Sequence, residues 1–251
     1  MPSWSKRRKI MYGGAVAIFL IGVIGIPTFR YFYQAPTCSD GKKNGDEKGI
    51  DCGGSCQRLC QSDFLAPDVA WTRFEELAPG LYNLATYIIN PNTSGEAKDV
   101  PYQMSVYDSK GASIIETRSI VTLPPHRNTL AFQSAVSVGK RTPARVLFEF
   151  TSPPDWYRSS DTLSAISVVD KKYSEDETGS SLSVALKNSS PYAIGRISVY
   201  AILYDKDGNS LGFSKTILDE IPALGSVTAP FTWSVNRQGK VISIEVLPVA
   251  E

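Results

Sequence analysis

The chain has 251 residues, 42% of them hydrophobic and 20% charged, with 26 Lys plus Arg against 25 Asp plus Glu. Such a composition excludes collagen-like repeats and wholly disordered polymers. Residues 1–33 hold five bases and no acid, so the remainder carries 21 bases and 25 acids; this mildly acidic remainder argues against a nucleic-acid partner. One histidine, His126, leaves no multi-histidine metal site and no Ser-His-Asp or Cys-His set of ordinary form.

The first element is a membrane anchor. Residues 10–29, IMYGGAVAIFLIGVIGIPTF, form an uncharged run that at about 1.5 Å per residue reaches the roughly 30 Å thickness of bilayer hydrocarbon. Lys6, Arg7, Arg8 and Lys9 precede it and only Arg30 closely follows. The basic flank should stay cytoplasmic and the C-terminal side be translocated. Trp4 and Tyr12 at one end, and Tyr31, Phe32 and Tyr33 at the other, suit the two interfaces. Gly13, Gly14, Gly22 and Gly25 would permit a neighbouring helix to approach. A cleaved signal peptide is the competing reading, but bulky residues follow Gly25 where a peptidase needs small ones. The expected layout is a leader at 1–9 and an anchor at 10–33.

All four cysteines, Cys38, Cys52, Cys56 and Cys60, fall in a juxtamembrane segment at 34–62. Outside the membrane they would oxidise to two disulfides, with three connectivities open. A four-thiolate metal site is the rival, without the usual Cys-x2-Cys pairs. Asp40, Asn44, Asp46 and Asp51 place oxygen donors at positions 1, 5, 7 and 12 of a calcium-type loop, with Gly45 at position 6. Lys42 departs from that pattern at position 3, and Asp51 stands where a longer glutamate is usual. The alternative is a set of Asx turns, with Gly41, Gly45, Gly49, Gly53 and Gly54 at positive φ. No other cofactor is expected.

The run Cys38 to Cys56, CSDGKKNGDEKGIDCGGSC, resembles a Cys-x-Asp-Gly-x2-Asn-Gly-x-Glu-x-Gly-x-Asp-Cys-Gly-Gly-x-Cys motif of extracytoplasmic bacterial proteins. The resemblance implies a cell-envelope location and a bacterial source, not an activity.

Beyond Gln61, short Val, Ile, Tyr and Thr runs alternate with Gly, Pro, Asn and Asp, the pattern of half-buried antiparallel strands. In residues 84–88 and 182–186 alternate side chains would face a core. Residues 105–114 and 202–211 align without gaps at a separation of 97, pairing Tyr107 with Tyr204, Asp108 with Asp205 and Gly111 with Gly208. Asn90 pairs with Asn188, and Pro124 with Pro222, at nearly the same offset. Two copies of this length predict tandem sandwich domains at 63–151 and 162–251, joined by a linker at 152–161. The fold class expected is all-β: two tandem immunoglobulin-like β-sandwiches preceded by one transmembrane helix and a short disulfide-rich segment. Residues 199–212 with 221–231 resemble the FxLYD family of bacterial envelope sandwiches, although Ala201 stands in place of that family's phenylalanine. The resemblance implies a non-enzymatic fold.

Aspartates at the Tyr-Asp-x2-Gly elements should accept backbone N–H bonds while the glycine turns left-handed, closing hairpins. His126 and its counterpart Leu224 belong to inter-strand loops. Trp71 and Trp233 read as core residues, and Trp156 with Tyr157 as a wedge between the domains. The function expected is a membrane-anchored, non-catalytic binding or scaffold protein. Its partners would be the membrane and other envelope proteins, and a calcium-dependent sensor is the alternative.

Overall fold

The computed structural model describes residues 4–32, 37–159 and 162–250. These fall into two units, residues 1–56 and 57–251.

In the first unit, α1 (Trp4–Leu20) runs through a π-helical segment at Ile21–Gly25 into α2 (Ile26–Phe32). Trp4–Thr28 is long and apolar enough to cross a membrane, and none of its most apolar stretch is buried in protein. A helix apolar on every side has no face for a soluble core and suits lipid. Near its start the Arg8 guanidinium stacks on the Trp4 ring at 3.7 Å. Of the interfacial aromatics expected beyond the helix, Tyr33 lies outside the described residues.

The second unit is all-β. Its first sandwich comprises β1 (Asp68–Ala78), β2 (Leu81–Ile89), β3 (Gly95–Tyr107), β4 (Ser113–Leu123), β5 (Asn128–Ser137), β6 (Arg145–Phe150) and the short β7 (Tyr157–Arg158). The second comprises β8 (Ile166–Asp176), β9 (Gly179–Asn188), β10 (Ile197–Tyr204), β11 (Ser210–Leu218), β12 (Ser226–Trp233) and β13 (Ser243–Ala250). The strand orders match: β1-β2-β5 faces β4-β3-β6 in one, and β8-β9-β12 faces β11-β10-β13 in the other. With strands one, two and five in one sheet and three and six in the other, each follows the immunoglobulin-type partition.

Each sandwich has its own core. Leu84, Ile88, Tyr102, Met104 and Leu123 fill the first, and Leu182, Val184, Leu186, Ile197 and Val199 the second. The alternation expected from sequence is present, since Leu84 and Ile88 point into the first core. The opposite face of the same strands is buried as well. Ala85 and Tyr87 of β2, and Tyr200 and Ile202 of β10, belong to a third cluster with Leu130, Phe213 and Val249. Sheet β1-β2-β5 therefore packs by its outer face on the outer face of β11-β10-β13. The four sheets make one stack, and β2 and β10 are covered on both sides. Strands buried on both faces read as nearly continuous apolar runs, which accounts for LYNLATYII and ISVYAILY, broken only by the buried Asn83, Thr86 and Ser198.

Two expectations need correction. Trp156 is not a wedge between the sandwiches: it is 3% exposed inside the first core, stacked on Phe64 at 5.2 Å, while Tyr157 is exposed. The segment read as a linker also holds β7, which pairs with β3, so part of it completes the first sandwich. Trp233 lies in the second core as expected, whereas Trp71 is half-buried in the seam between the sandwiches.

Candidate functional site

Three places bring chemistry-bearing side chains together. The first is the cysteine loop. Cys38 is bonded to Cys56, Cys52 and Cys60 are also oxidised, and no cysteine is free. Two disulfides exclude a four-thiolate site in this state. The Cys38, Cys56 and Glu47 side chains cluster closely enough to suggest a metal, but both sulfurs are spent in the S–S bond.

The loop's oxygens serve its own chain. Asp40 Oδ1 accepts from the Lys42 N–H at 2.9 Å and Oδ2 from the Asn44 amide at 2.8 Å. These bonds hold the Asp40 carboxyl below its ordinary pKa, the Asn44 bond first. The Asp51 carboxylate takes the Gly41 N–H at 3.0 and 3.1 Å, and Asp46 Oδ1 accepts from the Ser55 hydroxyl at 2.9 Å. Glu47 Oε2 accepts from the Asn44 N–H at 3.2 Å. Among the described residues, the Asp40, Asp46 and Asp51 carboxylates do not gather around one point. Asn44 Oδ1 is enclosed and has no hydrogen-bond partner. Gly41, Gly45, Gly53 and Gly54 take positive φ as turns require; Gly49 does not, and Asp51 does at 54°.

The second place is a groove of about 480 Å³ on the first sandwich, walled by Phe64, Leu65, Phe150, Pro153, Pro154 and Trp156. Asn92 fixes one wall: its Oδ1 accepts from the Leu65 N–H and its Nδ2 donates to the Leu65 carbonyl, both at 2.9 Å. Asn92 is buried by this role.

The third is the seam. Tyr87 of the first sandwich and Tyr204 of the second donate to the two oxygens of Glu245, at 2.7 and 2.9 Å, and Asn128 donates to the Tyr87 oxygen. Burial, reinforced by the Glu245 carboxylate, pushes both phenols well above their ordinary pKa, so they remain donors. Glu75 pairs with Arg237 across the seam, and its other oxygen accepts from the Phe213 N–H at 3.3 Å. The Glu75 and Arg237 side chains are only 10% and 12% exposed. Burial raises the Glu75 pKa and Arg237 opposes that rise. Gly212 permits the arrangement, because a Cβ there would strike the Arg237 guanidinium and the Trp233 indole. A cavity of about 310 Å³ opens at the rim of the seam between Lys98, Asp99, Tyr200 and Lys215.

The turn residues behave alike in both sandwiches. Asp108 accepts from the Lys110 and Ala112 N–H groups, and Asp205 from those of Asp207 and Asn209, with Gly111 and Gly208 both at φ 79°. Asn90 donates to the Pro124 carbonyl and Asn188 to that of Pro222. His126 and Leu224 are exposed, both at φ 51°, and each bonds its N–H to the loop beneath. Sequence reasoning missed the seam residues Glu75, Arg237 and Glu245; the available signal was the nearly continuous apolarity of β2 and β10.

No protein-family model matches the chain, and no curated protein is significantly similar to it. Among solved structures, a beta-glucuronidase from glycoside hydrolase family 2 aligns with 87% of this chain at 8% identity and a TM-score of 0.25. The chain spans 29% of that enzyme's length, and a likeness so slight carries no argument about activity.

Proposed function

We propose that the protein is a non-catalytic, single-pass envelope protein, N-terminus inside, that presents its paired sandwiches outside the membrane as a binding or scaffolding block. The observation that carries this is the seam. Burying Tyr200, Ile202, Phe213 and Leu130 between two sheets welds the sandwiches into one body, which suits a rigid spacer that holds contacts at a set separation. The oxidised cysteines support an extracytoplasmic location, because such bonds persist where thiols are not kept reduced. A membrane anchor would also raise the effective concentration of any partner held on the same surface. The FxLYD resemblance, the bacterial source and the tandem duplication belong to this reading. The matched strand orders and the paired Asp108/Asp205 and Asn90/Asn188 bonding support the duplication.

Purification of the full chain from native membranes in mild detergent should recover a stoichiometric envelope protein. Protease added to spheroplasts should remove the sandwiches. Recovery of the chain alone, or protection of the sandwiches, sinks the proposal.

A calcium-dependent role for the Asp40 to Asp51 loop is a second reading, favoured by the unpartnered Asn44 Oδ1. Against it, Lys42 stands at the third ligand position, and among the described residues the Asp40, Asp46 and Asp51 carboxylates do not gather around one point. Calorimetry with millimolar calcium should give no saturable heat; a one-site isotherm abolished by Asp51→Ala would establish the sensor reading instead.

A further inference from the structure

Among the described residues the two sandwiches end in eight long edge strands, and unpaired backbone at a sheet edge invites another strand unless something blocks it. Seven are blocked. The ladders that hold β1, β4, β5, β8 and β11 each contain a register shift. Pro230 interrupts β12 and Pro248 interrupts β13. The exception is β6, which pairs with β3 from Arg145 to Phe150 without a shift and contains no proline.

The backbone of β6 is set for pairing on its open side. The Thr151 N–H donates to the Pro101 carbonyl at 2.9 Å, which continues the Tyr102↔Phe150 register. In an antiparallel ladder the bonded positions alternate. Arg145, Leu147 and Glu149 therefore turn their backbone groups toward β3, while Val146 and Phe148 turn theirs outward. The side chains alternate too: Val146 is buried, and Arg145, Leu147 and Glu149 are exposed on the outer face, Leu147 at 45%.

This outer row reads cation, aliphatic, anion, and it is complementary to itself when reversed. We propose that β6 pairs antiparallel with β6 of a second copy of this chain about a two-fold axis at Leu147. Arg145 then faces the partner's Glu149, Leu147 faces its own counterpart, and Val146 exchanges both backbone bonds with the partner's Phe148. The two β4-β3-β6 sheets become one continuous sheet. The required bonding parity and the charge order agree on the same register. A two-fold axis also closes the assembly at two copies, which an unblocked edge needs if it is not to promote open-ended aggregation.

The test uses the full chain in detergent, with sedimentation to follow the monomer–dimer equilibrium. Arg145→Glu and Glu149→Arg each set like charges opposite one another at both symmetric pairs. Each should weaken dimerisation by about three- to tenfold, and the double variant R145E/E149R should restore it. Both side chains are exposed, so circular dichroism should remain unchanged. In an oxidising buffer Leu147→Cys should cross-link as a dimer, since directly opposed non-bonded positions sit about 4.5 Å apart at Cα, within disulfide reach. Ile120→Cys on β4, also exposed, should not. A chain that stays monomeric at every concentration, a dimer indifferent to the single swaps, or a double variant that fails to recover would overturn the proposal.

Discussion

Replacing Arg237 with alanine should destabilise the folded chain by about 3–5 kcal/mol at neutral pH, the usual consequence of leaving one member of a buried ion pair alone. Glu75 would keep only the Phe213 N–H as a partner, in a site where its side chain is 10% exposed. The deficit should depend on pH with a definite sign. Burial already raises the folded-state pKa of Glu75 above its ordinary value, and Arg237 is the main opposing influence. Without Arg237 the folded state binds the Glu75 proton still more tightly than the unfolded chain does. Stability of the variant should therefore fall as pH rises from the unfolded carboxylate range through the elevated folded value, and return on acidification. Urea unfolding of wild type and variant at pH 5 and pH 7.5 measures this directly. A deficit equal at the two pH values would show that Glu75 is not the stranded charge. The double variant Glu75→Gln with Arg237→Ala should recover part of the loss, since it removes the charge along with its partner.

Phe213→Ala should cost a similar amount, about 3–5 kcal/mol, the range for truncating a buried aromatic. Phe213 is 2% exposed and lies against Trp71 and Phe132 of the other sandwich, at centroid distances of 6.3 and 6.1 Å. Its effect should differ in kind from that of a substitution inside one core. Leu84→Ala removes a residue of the first core alone and should lower a single cooperative transition. Phe213→Ala loosens the seam while leaving both cores filled, so unfolding should separate into two transitions, one per sandwich. Calorimetry that shows one transition in both variants would mean that the remaining seam contacts, the Tyr87–Glu245–Tyr204 and Glu75–Arg237 sets among them, suffice to couple the sandwiches.

Much of this arrangement is local and therefore visible in the chain itself. The uncharged run before Arg30 specifies a helix that water cannot stabilise on any side. The Tyr-Asp-x2-Gly elements specify their hairpins because one carboxylate satisfies two nearby N–H groups while glycine takes the left-handed turn. The cysteine spacing announces covalent closure, yet the partner of Cys38 depends on how the intervening turns bring Cys56 to it. For the proposed calcium ligands, spacing conveyed which oxygens are near in sequence. It did not convey that Asp40 and Asp51 would also accept N–H bonds from within the loop.

The division between sequence and tertiary structure is clearest on β2 and β10. Alternation establishes that a strand has one apolar face, and composition shows that the second face of these two is apolar as well. Neither reveals which sheet covers that second face, because the covering residues Leu130, Phe213 and Val249 lie far away in the chain. The meeting of Tyr87 with Glu245 spans 158 positions and that of Glu75 with Arg237 spans 162. Contacts at such separations exist only after both sandwiches have formed and their outer faces have expelled water together. Sequence by itself thus determined the N-terminal apolar helix, the turns and two β-rich halves. Tertiary packing alone decided that the halves form one stack of four sheets and that, among the described residues, β6 lies at a sheet edge without a register shift or proline.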